Sequence, residues 1–188
     1  AGVKMYTLKS PDGKVKLEVT AGQGIAYSLF YDGRLLLKPS RIALHTDLPE
    51  ADHWENIRIT GTKQRHVSET VQAPFYRVKE FGIDCNELEL RLNNGFSLLM
   101  RAYNDGMAYR FVAGRKGEMT VVEERAEFNF ADDFEAYIPY STNPKDPWNM
   151  AFQNFYTKAP LTQYNTELPA FLPLTVDAGA VKLTLLES

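Results

Sequence analysis

The sequence has a single cysteine, no long apolar run and no dominance of one charge sign. Cys85 therefore has no partner for an internal disulfide bond within the 188 residues. No apolar stretch approaches the ~20 residues that a membrane-spanning helix needs, so we expect no membrane span. The formal net charge is −3, and acidic and basic residues are interspersed. This distribution argues against a surface that binds nucleic acid or anionic lipid.

Sequence motifs for catalysis are also absent. The chain contains no G-x-S-x-G, P-loop, dinucleotide-binding or H-E-x-x-H pattern. Its three histidines, His45, His53 and His66, fall in a polar stretch, and we interpret them as solvated loop residues. Neighbouring acids such as Asp132–Asp133 would point to opposite faces of a strand, whereas a glycosidase pair must face each other across a cleft. We therefore expect no catalytic and no cofactor-binding residue in this chain.

Helix patterns are scarce, whereas strand patterns recur along the chain. In GKVKLEVT and NELELRL, apolar and polar residues alternate with the period of a half-buried strand. VVEERAEFNF has no continuous apolar face for a helix and is also predicted to be a strand. Turn dipeptides separate such runs at Asp32–Gly33, Asn94–Gly95 and Asp105–Gly106, and the last two divide a predicted three-stranded meander. The pattern predicts an all-β fold, a large antiparallel β-sandwich formed by one domain over residues 1–188.

The stretch from Phe130 to Pro173 interrupts this rhythm, because it is rich in proline and aromatic residues. Such a segment is either a packed loop or a binding surface. Aromatic rings can stack on sugar faces while neighbouring amides bond to hydroxyl groups. The alternative, which we favour, is that the rings pack in a core or at an interface. The candidates for contact with a sugar or with a neighbouring domain are Trp148, Asn149, Gln153, Asn154 and Tyr156.

The closing segment AGAVKLTLLES alternates Val181, Leu183 and Leu185 with small or polar residues. This is the period of a half-buried strand. The pattern predicts a strand that continues to the last residues, with the carboxylate of Glu187 at its end.

Several segments, taken in order, resemble the N-terminal domain of glycoside hydrolase family 97. They are SPDGK, YDGRLLLKPS, RAYNDGMAYRF, EFNF, AFQNFYTKAPL and LPLTVDAGAVKLTLLES. The resemblance implies a β-supersandwich of the galactose-mutarotase-like class, followed in the family by a catalytic (β/α)8 barrel and a small C-terminal β domain. The best-known members are α-glucosidases and α-galactosidases of bacterial polysaccharide utilisation. Members are typically exported, so the resemblance implies a periplasmic or outer-membrane location for this protein, with its signal peptide removed.

The resemblance also implies what this chain does. A barrel needs ~250 residues, so we expect the chain to be an isolated, inactive domain that packs on the barrel in the full-length enzyme and contributes to its cleft for an oligosaccharide substrate. Two alternatives stay open. One is a free-standing carbohydrate-binding module, in which Trp148 would contact sugar. The other is a mutarotase-like epimerase, which would use a histidine and a carboxylate as general acid and base.

By the same resemblance, Glu187 occupies the position of a calcium ligand near the active site of the family. Calcium takes 6–8 oxygen ligands, and one carboxylate supplies only one or two of them. We therefore expect calcium in the full-length enzyme, where the barrel would add ligands, and none in this chain alone.

Overall fold

The computed structural model describes residues 3–143, 145–149 and 154–187. By its internal contacts the chain divides into two compact units, Ala1–Asn129 and Phe130–Ser188. The described residues form thirteen β-strands and two short 3₁₀ helices, so the predicted all-β class is confirmed. No helix in this part of the chain is both long and apolar enough to cross a bilayer. The assignment of residues 1–188 to one domain stays a prediction.

The first unit is a sandwich of two antiparallel sheets. One sheet has the order β1-β2-β3-β4-β9, and the other has the order β5-β6-β7-β8. The strands of the first sheet are β1 (Lys4–Lys9), β2 (Val15–Gly22), β3 (Gly24–Tyr31), β4 (Arg34–Thr46) and β9 (Val121–Ala126). Those of the second sheet are β5 (Ile59–Gln72), β6 (Glu80–Leu92), β7 (Phe96–Tyr103) and β8 (Gly106–Ala113). The 3₁₀ turn Trp54–Asn56 lies between β4 and β5 in the chain.

The inward-facing residues of the two sheets form the core of this unit. Every second residue of β2 and of β7 is buried, as the alternating pattern predicts. Leu88 and Met100 face each other across β6 and β7, and both are fully buried. The ring of Tyr27 on β3 lies 6.0 Å from that of Tyr109 on β8, which joins the two sheets. Each fully buried side chain of this size contributes about 1.5–3 kcal/mol to folding.

The predicted hairpins are present, although the turns differ in detail. Asp32 and Gly33 have φ angles of 49° and 79°, as a two-residue type I′ turn requires. The meander of β6, β7 and β8 is confirmed. The placement of its second turn at Asp105–Gly106 is wrong by one residue, because Gly106 pairs with Tyr103 as the first residue of β8. The turn is therefore Asn104–Asp105, where neither residue has a positive φ.

The second unit contains a four-stranded antiparallel sheet and begins where the sequence rhythm changes. Its strands are β10 (Glu135–Ile138), β11 (Thr157–Pro160), β12 (Leu174–Asp177) and β13 (Lys182–Leu185), in the order β11-β10-β12-β13, and a 3₁₀ turn spans Leu161–Gln163. Ala136, Ile138 and Val176 are fully buried at its centre.

The prediction that the closing strand continues to the last residues is wrong. β13 ends at Leu185, which pairs with Leu174, the first residue of β12. The preceding residue on the β12 side is Pro173, which has no N–H group with which to extend the ladder. Glu187 therefore lies two residues beyond the strand, and it is exposed.

Candidate functional site

The aromatic residues of the second unit divide into a partly buried set and an exposed set. Phe130, Phe134, Tyr140 and Tyr164 pack against the core of Ala136, Ile138 and Val176. The rings of Tyr140 and Tyr164 are 5.4 Å apart, and those of Phe130 and Phe134 are 6.5 Å apart at 87°. For these four residues the core interpretation is confirmed. They supply the apolar volume that four short strands cannot supply alone.

A second set of apolar side chains lies at the surface around Trp148, which is 71% exposed. Its ring contacts that of Phe171 edge-on, with 6.2 Å between the centroids. Phe171 in turn lines a shallow cleft of about 340 Å³ together with Tyr140, Asn154, Tyr156, Leu172 and Pro173. We call Trp148, Tyr156, Phe171 and Leu172 the aromatic face. Phe155, next to Tyr156 in the chain, is fully exposed.

Two side-chain donors of this cleft are engaged with the chain itself. The amide of Asn154 donates to the backbone carbonyl of Tyr140 at 3.0 Å, and the hydroxyl of Tyr156 donates to that of Pro173 at 3.4 Å. Sugar recognition depends on polar groups that point at the ligand. The aromatic face is thus more apolar than its sequence suggests, which favours contact with a protein surface over contact with a sugar.

The other predicted contact residues are placed as follows. Asn149 is exposed in a turn, where its N–H donates to the carbonyl of Asp146 at 3.4 Å. Gln153 lies outside the described residues.

The interpretation of the histidines as loop residues is wrong for two of the three. His45 lies on β4, and its Nδ1 is 2.6 Å from Asp52 Oδ1. His66 lies on β5, where Nε2 is 2.9 Å from Asp84 Oδ1 and Nδ1 is 3.0 Å from Asn86 Oδ1. In both cases an aspartate holds the imidazole ring by a hydrogen bond at the surface.

Glu87 on β6 is a charged residue that the sequence did not single out. Only 5% of it is exposed. Its two carboxylate oxygens accept hydrogen bonds from Arg65 Nε at 2.7 Å and from Arg101 Nε at 2.8 Å. Register explains the arrangement, because Glu87 lies opposite Arg65 on β5 and opposite Arg101 on β7. The three side chains therefore form a line across the sheet, on the face opposite the sandwich core.

The electrostatics of this line exclude Glu87 as a proton donor near neutral pH. Burial raises the pKa of the Glu87 carboxyl, but the hydrogen bonds from Arg65 and Arg101 outweigh burial and lower it overall. Hydrogen bonds to Tyr103 and to Glu87 raise the pKa of Arg101. A general acid needs a carboxyl pKa raised toward the working pH. Glu87, Arg65 and His66 border a groove of about 480 Å³ beside β1, and Glu87 and Arg65 are both charged there near neutral pH.

Glu187 can donate oxygen to a metal ion, but the described residues do not complete a site around it. Within residues 3–143, 145–149 and 154–187, no group of three or more histidine, cysteine or acidic side chains could hold an ion. Calcium needs 6–8 oxygen ligands, of which the carboxylate of Glu187 would supply one or two.

Comparison with known proteins relates the whole chain to one enzyme family. Residues 8–188 match the family described as Glycosyl-hydrolase 97 N-terminal. The chain is 39% identical over 192 residues to the retaining alpha-galactosidase of Bacteroides thetaiotaomicron, covering 98% of this chain and 29% of that protein. It is 26% identical over 158 residues to the probable retaining alpha-galactosidase of Streptomyces bingchenggensis, covering 82% of this chain and 24% of that protein. The chain thus spans less than a third of the length of these relatives.

Solved structures show the same fold at lower sequence identity. A glycoside hydrolase family 97 enzyme from Pseudoalteromonas sp. strain K8, solved in complex with panose, superposes with a TM-score of 0.72 at 19% identity. The match covers 91% of this chain and 26% of that chain. A beta-arabinopyranosidase superposes with a TM-score of 0.77 at 22% identity, covering 91% of this chain and 29% of that chain.

Proposed function

Because this chain belongs to the N-terminal domain family of glycoside hydrolase family 97, we propose that it is the non-catalytic part of an α-glycosidase whose catalytic domain belongs to the same polypeptide. The proposal rests on how much of this chain, and how much of its relative, the alignment covers. Almost the whole chain, 98%, aligns with only 29% of a retaining alpha-galactosidase. The remaining length of that relative leaves room for a catalytic domain.

The substrate that this relationship favours is an α-galactoside. At 39% identity, the Bacteroides thetaiotaomicron enzyme is similar enough to suggest the same reaction for the whole polypeptide, with retention at the anomeric carbon. Retaining glycosidases use two carboxyl groups about 5–5.5 Å apart, one as nucleophile and one as acid and base. Both groups would belong to the catalytic domain. An α-glucoside is the alternative substrate.

The role of this domain is to support the catalytic domain and to border its substrate cleft. The aromatic face supports this role, since Trp148 and Leu172 expose apolar surface at 71% and 46%. Interfaces between domains of one chain bury about 600–1,500 Å², and exposed apolar patches mark such contacts. A calcium ion held by Glu187 and by ligands of the catalytic domain would supply positive charge at the boundary. The family relationship further suggests export to the periplasm or outer membrane, where oligosaccharides are degraded.

Hydrolysis of p-nitrophenyl α-galactoside tests the proposal. We expect turnover by the full-length polypeptide, less turnover of the α-glucoside, and none by residues 1–188. Turnover by purified residues 1–188 would contradict the non-catalytic role. Trp148→Ser in the full-length polypeptide should lower the midpoint of thermal unfolding, whereas Val122→Ser, a similarly exposed residue on β9, should not.

A carbohydrate-binding module is the second candidate, because the exposed ring of Trp148 could stack on a sugar. Calorimetry of residues 1–188 with galacto- and gluco-oligosaccharides distinguishes the two. The domain role predicts no heat of binding, while a module would bind and would lose binding in Trp148→Ala.

A further inference from the structure

The hairpin of β5 and β6 is longer than the sheet to which it belongs. β6 pairs with β7 only from Cys85 to Arg91, whereas β5 and β6 remain paired as far as Gln72 and Glu80. The rungs from Ser68–Asp84 to Gln72–Glu80 therefore form a ribbon of two strands. At about 3.3 Å per residue, this ribbon extends roughly 17 Å beyond β7, before its loop is counted. We call residues 68–84 the arm.

The two faces of the arm differ in polarity. Val71 pairs with Phe81 and Glu69 pairs with Ile83, so three apolar side chains lie on one face. The other face carries the polar rungs Ser68–Asp84 and Gln72–Glu80. The apolar face continues the face of the sheet that carries Glu87, opposite the core residues Leu88 and Leu90. The sandwich core is therefore on the wrong side of the sheet to cover it.

The tip of the arm adds a denser group of exposed apolar side chains. Phe75, Tyr76 and Val78 are 97%, 73% and 61% exposed. Backbone hydrogen bonds nevertheless define the conformation of the loop. The N–H of Ala73 donates to the carbonyl of Lys79 at 2.8 Å, and the N–H of Tyr76 donates to the carbonyl of Ala73 at 3.0 Å. Lys79 Nζ also donates to the carbonyl of Pro74 at 2.5 Å. The turn thus presents its aromatic rings outward in a defined shape.

A two-stranded ribbon by itself is marginally stable in water, so the arm would gain stability from a contact. Clustered exposed apolar side chains, such as those at its tip, mark contact sites. We propose that the arm docks on the catalytic domain of the same polypeptide, with Phe75 and Tyr76 inserted into an apolar groove of that domain. This inference rests on the proposed function and names the part of the first unit that makes the contact.

Length and charge favour this partner over a second copy of the chain. The alpha-galactosidase relative extends far beyond the 29% of its length that matches this chain, so a large partner surface would be available within one polypeptide. In a two-fold symmetric contact between tips, Arg77 and Lys79 would face their own copies, and like charges in an interface are unfavourable. The same two cations suit a groove edged by carboxylates.

Site-specific photo-crosslinking in the full-length polypeptide tests the arm directly. The photoreactive residue p-benzoylphenylalanine replaces Phe75 in one variant and Tyr76 in a second variant. The matched control carries it at Arg58, an exposed residue just before β5 at the other end of the same hairpin. Fourteen residues of β5 separate the two ends, a distance of about 46 Å at 3.3 Å per residue. Cross-linked peptides are then identified by mass spectrometry.

We expect Phe75 and Tyr76 to cross-link to peptides beyond residue 188, at the mass of one polypeptide and with several-fold higher yield than Arg58. Products at twice the mass would instead assign the tip to a second copy. Those products, cross-links confined to residues 1–188, or a yield no higher than that of Arg58 would each overturn the inference. Glycosidase activity of the same variants separates the two proposals, since an active enzyme with an undocked arm refutes only the docking.

Discussion

Replacement of Glu87 by glutamine should destabilise the domain by an amount that depends on pH. The substitution keeps the shape of the side chain but removes its charge. One oxygen can still accept a hydrogen bond from Arg65 or Arg101, while the new amide group turns a donor toward the other arginine. A hydrogen bond to a charged group contributes about 1.5–3 kcal/mol, and removal of one partner of a buried ion pair costs about 3–5 kcal/mol.

Exposure of the arginines sets where in this range the effect falls. The side chain of Arg65 is 50% exposed and that of Arg101 is 25% exposed, so water partly compensates both after the carboxylate is lost. We therefore expect Glu87→Gln to lower the free energy of unfolding by about 2–3 kcal/mol at pH 7. Glu89→Gln is the matched control, because Glu89 lies two residues along the same strand with only a 3.4 Å contact to Arg91. Its effect should stay below about 1 kcal/mol.

The sign of the pH dependence follows from the lowered pKa of Glu87. A carboxyl group whose pKa is lower in the folded state stabilises the protein above its unfolded pKa, which is about 4.3. That contribution is lost as the pH falls through the folded pKa. Urea unfolding of the wild type and of Glu87→Gln, from pH 7 down to pH 3.5, should show the difference between them shrinking below about pH 4.3. A difference under about 1 kcal/mol at pH 7, or one that stays constant with pH, would refute this account of the line of charges.

Two further substitutions test the backbone and the second unit by urea unfolding. Gly33→Ala should lower the free energy of unfolding by about 1 kcal/mol, because φ at Gly33 is 79°. Gly106→Ala, in the other Asp-Gly dipeptide, should be nearly neutral because φ at Gly106 is not positive. Equal losses would contradict the different turn geometries. Ile138→Ala should lower the free energy of unfolding by about 2–5 kcal/mol, because Ile138 is fully buried. Tyr137→Ala, on the exposed face of the same strand, should lower it much less. A small loss for Ile138→Ala would contradict the place of Ile138 in the core.

Local patterns predicted the parts of the fold that depend on neighbours in sequence. The alternation in β2 and the Asp32–Gly33 dipeptide each specify their structure within a few residues, and both are present as predicted. β5 was not predicted because it is a polar edge strand: ITGTKQRHVSETVQ has little apolar alternation, and its first half gains strand structure by pairing with β6 beside the core.

The candidate site depended on long-range register, which a single sequence does not reveal. In NELELRL, Glu87 alternates with buried leucines and would be assigned to solvent by period alone. Its burial results from Arg65 and Arg101, which are 22 and 14 residues away and are brought beside it by strand pairing. In the same way, composition does not separate the partly buried Tyr140 from the exposed Trp148, since both lie in the same segment rich in proline and aromatic residues.

The position of the charged line explains how the outer face of the β5-β6-β7-β8 sheet can carry an apolar arm. Replacement of a buried ion pair by well-packed apolar residues of similar volume is often neutral or stabilising. Leucines at positions 65, 87 and 101 would, however, join the arm to one continuous apolar surface, which promotes unspecific association. The apolar stretch of this face continues from the arm through the buried rung Val67–Cys85 and ends at the charges of Arg65, Glu87 and Arg101. The apolar surface that the proposed docking would cover is thereby confined to Val71, Phe81, Ile83 and the tip.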